Sequence, residues 1–584
     1  MATWTRAERS ASRFDMRIVR TLALAAALTL GSCTIAPPPV ASTPQVSAQP
    51  FVVAANPLAA QAGLEVLRRG GSAADAAIAV QAMLSLVEPQ SSGVGGGAFM
   101  TYYDGASRRV SVYDGREVAP AQASSDMFVA PNGKPLPFTT AVLSGRATGV
   151  PGAVKMLALA HREHGKLPWS GLFGDARRTA SQGFTISPRL ARMIHSDAPE
   201  NAAPDVKAYF SKADGTLLNA GDTLRNPAYA EFLDRLASQG SDALYKGSTG
   251  AKIVARTRAG PLGGSMTMAD LANYQPVERE ALCRPYRVYE VCVPPPPSSG
   301  VGLLQLLGML EHTDIAKRGP NDPQAWYLFA EASRIMYADR DRYVGDPAFV
   351  DVPVAGLLAP AYVAGRARLI GAVAGPPPVA GVPAGATVAA RDSTYEPTGT
   401  SHFIVGDAAG NVVSMTTTVE SIFGSGRMVD GFFLNNQMTD FAFLPRDAQG
   451  RPAANAVAPG KRPRSSMTPL IVLTPDRRFA GAFGSAGGNA ILAYVAKTMV
   501  AAIDWNLPTQ EAVAAPNLVA RGSAFQGEVT KFSPQILAGL RARGIELQPG
   551  QGEDSGVHAV MIRNGRVDGG YDPRREGVVL TLPR

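Results

Sequence analysis

Several features that would mark other classes of protein are scarce or missing in this 584-residue chain. Aromatic residues make up only 7%, and the net charge of +8 is spread along the chain with no basic run, so nucleic-acid binding is disfavoured. The six histidines are scattered, and the one close pair, His161 and His164, has no third ligand near it, so no metal site is predicted. The remaining composition, 46% hydrophobic and 18% charged, is that of a large globular body.

The N-terminal segment has the pattern of an export signal. Two arginines precede the apolar run Thr21–Leu30, which is too short to span a bilayer. Leu-Gly-Ser-Cys follows and resembles a bacterial lipobox, in which Cys33 becomes the lipidated N-terminus; an ordinary signal peptide with an incidental cysteine is the alternative. We therefore expect a signal peptide with lipobox at 1–33 and a Pro-rich linker at 34–50. Thr34 is not the Asp that favours inner-membrane retention, so we expect a periplasmic lipoprotein anchored to the outer membrane of a Gram-negative bacterium.

Cysteine is too rare for a disulfide framework, because only Cys283 and Cys292 remain after the leader. The residues between them, Arg284 to Val291, are predicted to form a short hairpin. A disulfide could form across it in an oxidising compartment, and half-buried free thiols fit the sequence nearly as well.

Helical and strand-like patterns are mixed along the chain. Leu58 to Arg69 has apolar residues at helical spacing and ends at two glycines, and Ser72 then caps a second helix that runs to about Leu86. Ala98 to Tyr103 and Val110 to Tyr113 are predicted to form a hairpin. Strands grouped with helices on both faces favour a layered α/β body.

The run Gly399-Thr400-Ser401-His402-Phe403 separates two very different segments. Gly375 to Gly399 is mostly Gly, Pro, Ala and Val, which predicts a mobile linker. The β-branched runs that follow it flank a turn-forming cluster and predict an antiparallel hairpin. Pairing residue 406 with 411 would place Thr400 opposite Thr417, within two residues, beside the hydroxyls of Thr416 and Thr418.

This layout is typical of a chain that cuts itself. A threonine at a new N-terminus carries a nucleophile and its base, because a free α-amine titrates near neutrality and can take the hydroxyl proton. The alternative is that Thr400 only begins a strand.

Two glycine-rich loops have partial likeness to catalytic motifs. Gly93 to Ala98 superficially matches a dinucleotide loop, but it precedes a strand instead of opening a helix, so no cofactor is predicted. The run from Phe483 to Gly487 lacks the first glycine of a nucleophile elbow and an identifiable triad. The amides of Gly487 and Gly488 could instead donate hydrogen bonds to an oxyanion, the alternative being a simple turn.

Several ordered motifs together are similar to the γ-glutamyltransferase (glutathione hydrolase) family. The likeness runs from about Phe51 to Arg584 and rests on these segments: Asn56-Pro57-Leu58-Ala59, Gly93 to Phe99, Arg116 to Pro120, Pro295 to Gly300, Thr400-Ser401-His402, Leu434 to Phe441, Arg462 to Met467, and Gly484 to Gly488. The resemblance implies an α+β, four-layer αββα N-terminal-nucleophile hydrolase sandwich. It also implies self-cleavage between Gly399 and Thr400 into a large chain, 51–399, and a small chain, 400–584, which stay together as a heterodimer.

The resemblance also implies a role for each site residue. Thr400 attacks the carbonyl of Gly399 and, once freed, the γ-amide of a glutamyl donor. Thr418 holds the nucleophile by a hydrogen bond, and Gly487 and Gly488 form the oxyanion hole. The donor's charged groups are held by two sets of residues, the α-carboxylate by Arg116, Ser465 and Ser466 and the α-ammonium by Gln437 and Asp440.

Two departures from the family pattern bear on specificity. Glu420 stands where the family commonly has Asn, which would place two carboxylates, those of Glu420 and Asp440, beside the donor ammonium; the alternative is that Glu420 turns to an arginine outside the pocket. Ala442 to Ala454 is short and lacks the Tyr of lidded bacterial members, which predicts a more open site.

The predicted function is a γ-glutamyltransferase or hydrolase that acts on γ-glutamyl compounds such as glutathione and passes the acyl group to water or an amino acid. A related side-chain amide acylase, acting on glutaryl or cephalosporin substrates, is the first alternative. Asp440 and Arg116 argue against it because together they would bind an α-amino acid. The second alternative is a non-catalytic binding lipoprotein.

Overall fold

Two antiparallel sheets form the centre of the protein, whose computed structural model describes residues 48–392, 394–550 and 555–583. The first sheet has seven strands, in the spatial order Val578–Thr581, Phe51–Ala54, Gly399–Gly406, Val412–Glu420, Gly97–Tyr103, Val110–Gly115 and Val277–Glu280. The second has six, in the order Arg566–Tyr571, His558–Arg563, Phe479–Gly484, Leu470–Leu473, Tyr289–Val293 and Leu282–Tyr286.

Smaller strand pairs lie outside the two sheets. They are Phe184–Thr185 with Thr223–Leu224, Met428–Val429 with Phe432–Phe433, and the trio Leu518–Arg521, Ala524–Gly527 and Gln548–Pro549.

Helices cover the outer face of each sheet. Those packed on the first sheet are Pro57–Arg68, Ala73–Val87, Ala153–His164, Gly174–Gln182, Pro188–Ile194, Pro204–Phe210, Pro227–Gln239, Asp242–Tyr245, Gly247–Arg258 and Met268–Asn273. Those on the second are Gly300–Glu311, Pro323–Tyr343, Val354–Leu357, Pro360–Ala367, Ile491–Met499, Thr509–Ala514 and Pro534–Arg541. A further short helix, Phe138–Val142, belongs to a separate small apolar cluster.

Apolar residues from the two sheets meet between them and complete the four layers. Phe51, Val53 and Ile404 from the first sheet pack with Ile471 and Val560 from the second. Three of these strands, Phe51–Ala54, Gly399–Gly406 and Leu470–Leu473, are buried at every residue, whereas a strand with one face in water would alternate between buried and exposed residues. The structure therefore has the predicted αββα sandwich.

The first two helices begin where the sequence predicts. Asn56 caps Pro57–Arg68, and Ser72 caps Ala73–Val87 in a reciprocal capping box with Asp75. These local caps satisfy amide groups that have no partner inside the helix.

Both predicted chains contribute strands to both sheets. In the first sheet the strand Gly399–Gly406, which begins at the predicted cut, lies between Phe51–Ala54 of the large chain and Val412–Glu420 of the small one. A cut between Gly399 and Thr400 would thus leave two interleaved chains that share one core.

The hairpin that carries Thr400 forms as predicted, with a register one residue from the expected centre. Gly406 pairs with Val412, and Thr400 is opposite Thr418. The hydroxyl of Thr416 lies beside His402 instead of Thr400, at 2.9 Å from its Nδ1 atom. Ile404 packs between the sheets, so strand alternation directs Thr400 and His402 to the same side.

The segment before the cut is held more firmly than its composition predicts. Its described residues between 375 and 398 form no helix or strand, but side chains of the helix Pro323–Tyr343 bind its backbone. The carboxylate of Asp339 accepts the amide of Gly381 at 2.8 Å, and Tyr343 donates to the carbonyl of the same glycine at 2.6 Å. The prediction of a mobile linker is wrong on this point, because Gly- and Pro-rich backbone can be fixed by side chains far away in sequence.

Cys283 and Cys292 form a disulfide, with an S–S distance of 2.07 Å, across the hairpin at the edge of the second sheet. The free-thiol alternative is therefore not the state in this structure. These two sulfurs also belong to the one cluster of three metal-ligand side chains within the described ranges, completed by Glu290, and the disulfide occupies both of them.

The predicted signal peptide and Cys33 lie outside the described residues. Within those residues, every helix is too short or too polar to cross a membrane.

Candidate active site

The hydroxyl of Thr418 joins the predicted nucleophile to the predicted scissile bond. It accepts a hydrogen bond from the hydroxyl of Thr400 at 3.2 Å and donates to the carbonyl oxygen of Gly399 at 2.6 Å. The amide of Glu420 also donates to it, at 2.7 Å. Thr400 and Thr418 are both buried. One side chain thus orients the attacking oxygen and polarises the carbonyl that it would attack.

The glycine loop before Gly97–Tyr103 packs against the backbone of the strand that carries Thr418. A Cβ atom on Gly96 would lie 1.9 Å from the carbonyl oxygen of Thr418, and one on Gly95 would lie 2.2 Å from that of Phe433. Glycine is required here because two backbones approach closely.

The predicted oxyanion loop lies against the backbone just before the cut. Gly487 and Gly488 have φ values of 126° and 53°, which favour glycine. A Cβ atom on Gly488 would be 2.2 Å from the carbonyl oxygens of Glu396 and Pro397. The loop can therefore contact a chain that lies at this position. In the uncleaved protein that chain is its own backbone at Glu396 and Pro397.

The residues predicted to hold the donor's two charged groups are paired with each other. Arg116 is buried; its Nη2 atom donates to the carboxylate of Asp440 and, at 2.7 Å, to the carbonyl of Arg464. Gln437 donates to the same carboxylate of Asp440 at 2.6 Å. An amino acid would meet a cation and an anion side by side, which matches its own carboxylate and ammonium.

Glu420 points into the site, so the alternative that it turns to an arginine outside is wrong. Its Oε2 atom accepts from Asn436 at 2.7 Å, and it lines the same small cavity as Asp440. Burial, reinforced by the charge of Asp440, raises the pKa of Glu420 well above the ordinary value. The neutral form of Glu420 is therefore favoured while no cation is bound beside it.

The backbone at Glu420 also fits the asparagine that the family commonly has there. The strand bulges between Thr418 and Glu420, and Glu420 has a φ of 86°. Asn tolerates this region better than Glu does. Glu420 therefore adopts this backbone conformation at a higher cost in free energy than asparagine would.

Two charged residues of the site, Arg340 and Glu396, lie outside the family motifs, and a third, Arg464, lies within one of them without a predicted role. The carboxylate of Glu396 accepts from Arg340 at 2.6 Å and from the hydroxyl of Ser466 at 2.6 Å, and Arg464 lies 3.5 Å away. Burial alone would raise the pKa of Glu396, but Arg340 and then Arg464 lower it to about 2. The one available signal was an acid four residues before the predicted nucleophile.

These groups surround a cavity of only about 20 Å³. That is the space of about one water molecule, too little for a glutamyl group. The predicted site residues that line it are Arg116, Thr400, Thr418, Glu420, Gln437, Asp440, Ser465, Ser466 and Gly488; Gly487 precedes the last of them and is not in the lining, whereas Glu396 and Pro397 are. The uncleaved site is therefore closed by its own chain.

The short segment Ala442 to Ala454 is tied to the chain before the cut. Ala453 bridges to Ala390, and Asn455 donates to the carboxylate of Asp392 at 2.9 Å and to the carbonyl of Asp440 at 2.6 Å. The more open site predicted from the length of this segment stays a prediction.

Comparison with known proteins agrees with this geometry. The family described as gamma-glutamyltranspeptidase matches residues 59–582. The chain is 36% identical to the glutathione hydrolase proenzyme of Bacillus subtilis (strain 168), over 91% of each chain, and 35% identical to that of Escherichia coli (strain K12), over 90% of each. The crystal structure of cephalosporin acylase from Bacillus halodurans superposes with a TM-score of 0.77 at 26% identity, covering 93% of this chain and 98% of that one.

The family match spans nearly the whole described chain and includes every segment that carries the site. The αββα layers agree with this match, and so does the pair of Thr400 and Thr418 at the start of the hairpin. This protein belongs to the γ-glutamyltranspeptidase family of N-terminal-nucleophile hydrolases.

Proposed function

We propose that the protein is a γ-glutamyltransferase and glutathione hydrolase that matures by cutting itself between Gly399 and Thr400. The observation that carries this proposal is the hydrogen-bonded chain from the hydroxyl of Thr400 through that of Thr418 to the carbonyl of Gly399. A strand that only needed a threonine at its start would not require this arrangement.

Self-cleavage follows from the positions of these atoms. The Thr400 hydroxyl oxygen attacks the carbonyl carbon of Gly399 while its proton passes to the departing amide nitrogen, which converts the peptide bond into an ester. Thr418 donates its hydrogen to the developing oxyanion. Water then hydrolyses the ester, leaving a carboxylate on Gly399 and a free α-amine on Thr400.

The same hydroxyl then serves the enzymatic reaction. The new α-amine accepts the hydroxyl proton, Thr400 attacks the γ-carbonyl of the donor, and the leaving amine departs with a proton. Amides of Gly487 and Gly488 stabilise the oxyanion. Water or the amine of an acceptor amino acid breaks the resulting γ-glutamyl ester and regenerates Thr400.

Donor recognition uses the Arg116–Asp440 pair. The donor carboxylate replaces part of the interaction of Arg116 with Asp440, and the donor ammonium takes its place beside Asp440, Gln437 and Glu420. A zwitterion can insert into an ion pair with little loss of charge compensation.

The acylase alternative is favoured by likenesses to acylases, among them the cephalosporin acylase structure that covers 93% of the chain. Two buried acids, Glu420 and Asp440, oppose it, since an acyl group without an amine offers them no cation. Turnover of γ-glutamyl, glutaryl and 4-aminobutyryl anilides by the wild-type protein separates the two functions. We expect the γ-glutamyl compound to be the best substrate; a preference for the glutaryl compound would assign the acylase function.

Replacing Thr400 tests the double use of one hydroxyl. We expect Thr400→Ala to remain a single full-length chain without amidase activity, and Thr400→Ser to mature more slowly. A denaturing gel and N-terminal sequencing measure both. Two chains divided at 399/400 in the Ala variant would contradict self-cleavage, and an uncleaved wild type would support a non-catalytic binding protein.

Asp440→Asn is expected to raise KM for γ-glutamyl anilide and to leave maturation intact, because the lost charge faces the donor ammonium and not the scissile bond. A hydrogen bond to a charged group contributes about 1.5–3 kcal/mol, which corresponds to roughly 10- to 150-fold in kcat/KM. Asp447→Asn, in a surface ion pair with Arg451, is the matched control. Equal kinetics in the two variants would show that the amine is bound elsewhere.

Glu420→Asn is expected to lower the preference for γ-glutamyl over glutaryl anilide and still to mature. A bound ammonium favours the ionised form of Glu420, whose pKa is raised in the empty site, so the wild-type preference should increase with pH and decrease as pH falls. The variant should lose this slope. The measurement is the ratio of kcat/KM values across the pH range; a ratio and slope that do not change on substitution would make Glu420 a structural residue.

We further propose that the protein is exported and held at the periplasmic face of the outer membrane by a lipid on Cys33. The sequence of the leader supports this, and the described helices offer no other anchor. Cys33→Ala should move the protein from the membrane fraction to the soluble fraction, because a single thiol carries the lipid. Equal membrane retention of both forms would contradict the lipoprotein assignment.

A further inference from the structure

Glu396 occupies a carboxylate site within the uncleaved active site. Its two oxygens accept hydrogen bonds from Arg340 and Ser466, both at 2.6 Å, and Ser466 in turn accepts a second bond from Arg340 at 2.6 Å. Glu396, Arg340 and Ser466 are all buried. A carboxylate is thus bound by a guanidinium and a serine hydroxyl at the place where a donor is expected to bind.

Ser466 cannot serve Glu396 and a donor at the same time. A serine hydroxyl has one hydrogen, and here that hydrogen is donated to Glu396. A donor carboxylate at Ser466 would need the same hydrogen. A donor carboxylate at Ser466 would therefore replace the hydrogen bond from Ser466 to Glu396.

Glu396 supplies one of three carboxylates that face three guanidinium groups at this place. Arg340 and Arg464, which are buried, and Arg521, which is half-buried, lie against Asp341, Asp392 and Glu396. Withdrawal of Glu396 would leave one uncompensated buried cation, which is costly unless another anion replaces it. Without Glu396, the cluster has one excess positive charge and can bind one carboxylate.

Glu396 also lies on a part of the chain that cleavage can free. After cleavage, Asp392 remains bound to Asn455, Arg464 and the carbonyl of Asp341. Gly399, in contrast, is then no longer covalently joined to Thr400. The cavity of about 20 Å³ admits no donor until the residues between these two points withdraw.

We propose that Glu396 stands in for the donor's α-carboxylate in the uncleaved chain, and that Arg340 becomes a donor-binding residue once cleavage frees the segment that ends at Gly399. This inference rests on the proposed function. It adds the guanidinium of Arg340, on the helix Pro323–Tyr343, to the site that binds the donor's carboxylate. No sequence motif indicated this residue. In the mature enzyme Glu396 is a tethered competitor of the donor.

Three anilides separate the donor's two charges: γ-glutamyl has carboxylate and amine, glutaryl has the carboxylate alone, and 4-aminobutyryl has the amine alone. Arg340→Lys should raise KM roughly 10-fold or more for the first two and leave it unchanged for the third, because lysine loses the two-pronged contact. Arg334→Lys, in a buried pair with Glu331 on the same helix, is the matched control and should change none.

Glu396→Gln keeps the shape of the side chain and removes its charge, so it provides a second test if the arginine variant does not mature. It should lower KM for the two carboxylate-bearing anilides by roughly 2- to 10-fold, because the tethered competitor is weakened. Glu331→Gln is the control. The proposal is overturned if Glu396→Gln raises KM for all three compounds, or if Arg340→Lys affects all three equally. A wild type that hydrolyses none of the three would instead contradict the proposed function itself.

Discussion

The structure depends on one hydroxyl, that of Thr418, which holds the nucleophile and the bond it attacks in a single hydrogen-bonded chain. Its position is set by the strand pairing that places Thr418 opposite Thr400 and by the bulge that turns the amide of Glu420 back onto it. Because Gly96 has no side chain, its backbone can lie close to the carbonyl oxygen of Thr418. We propose that the geometry that serves the first cut also serves the mature reaction.

Around the hydrogen bonds of Thr418, the site is made of buried charged side chains that compensate one another. Arg116 is paired with Asp440, burial and the charge of Asp440 favour the neutral form of Glu420, and Glu396 is paired with Arg340. Such an empty site avoids the penalty of unpaired buried charge, and a zwitterionic donor can replace the internal partners one for one. We propose that selectivity for an amino-acid acyl group follows from that exchange.

Much of the site could be predicted because its signals are local in sequence. The β-branched runs around a turn gave the pairing of Thr400 to within one residue, and the proximity of Glu420 to Asp440 followed from the same hairpin together with the family motifs. The linker was the main error, because its composition does not show that Asp339 and Tyr343 bind its backbone. Arg340 and Glu396 were missed because an ion pair between distant segments leaves no local pattern.

The central claim is that Thr400 performs both cuts, and trapping the acyl-enzyme tests it most directly. The purified protein is mixed with γ-glutamyl anilide, quenched in acid, and its chains are weighed and mapped by mass spectrometry. The account predicts a separate chain that begins at Thr400 and becomes heavier by one glutamyl group, attached to that threonine. A single uncut chain, or a glutamyl group on any other residue, would contradict it.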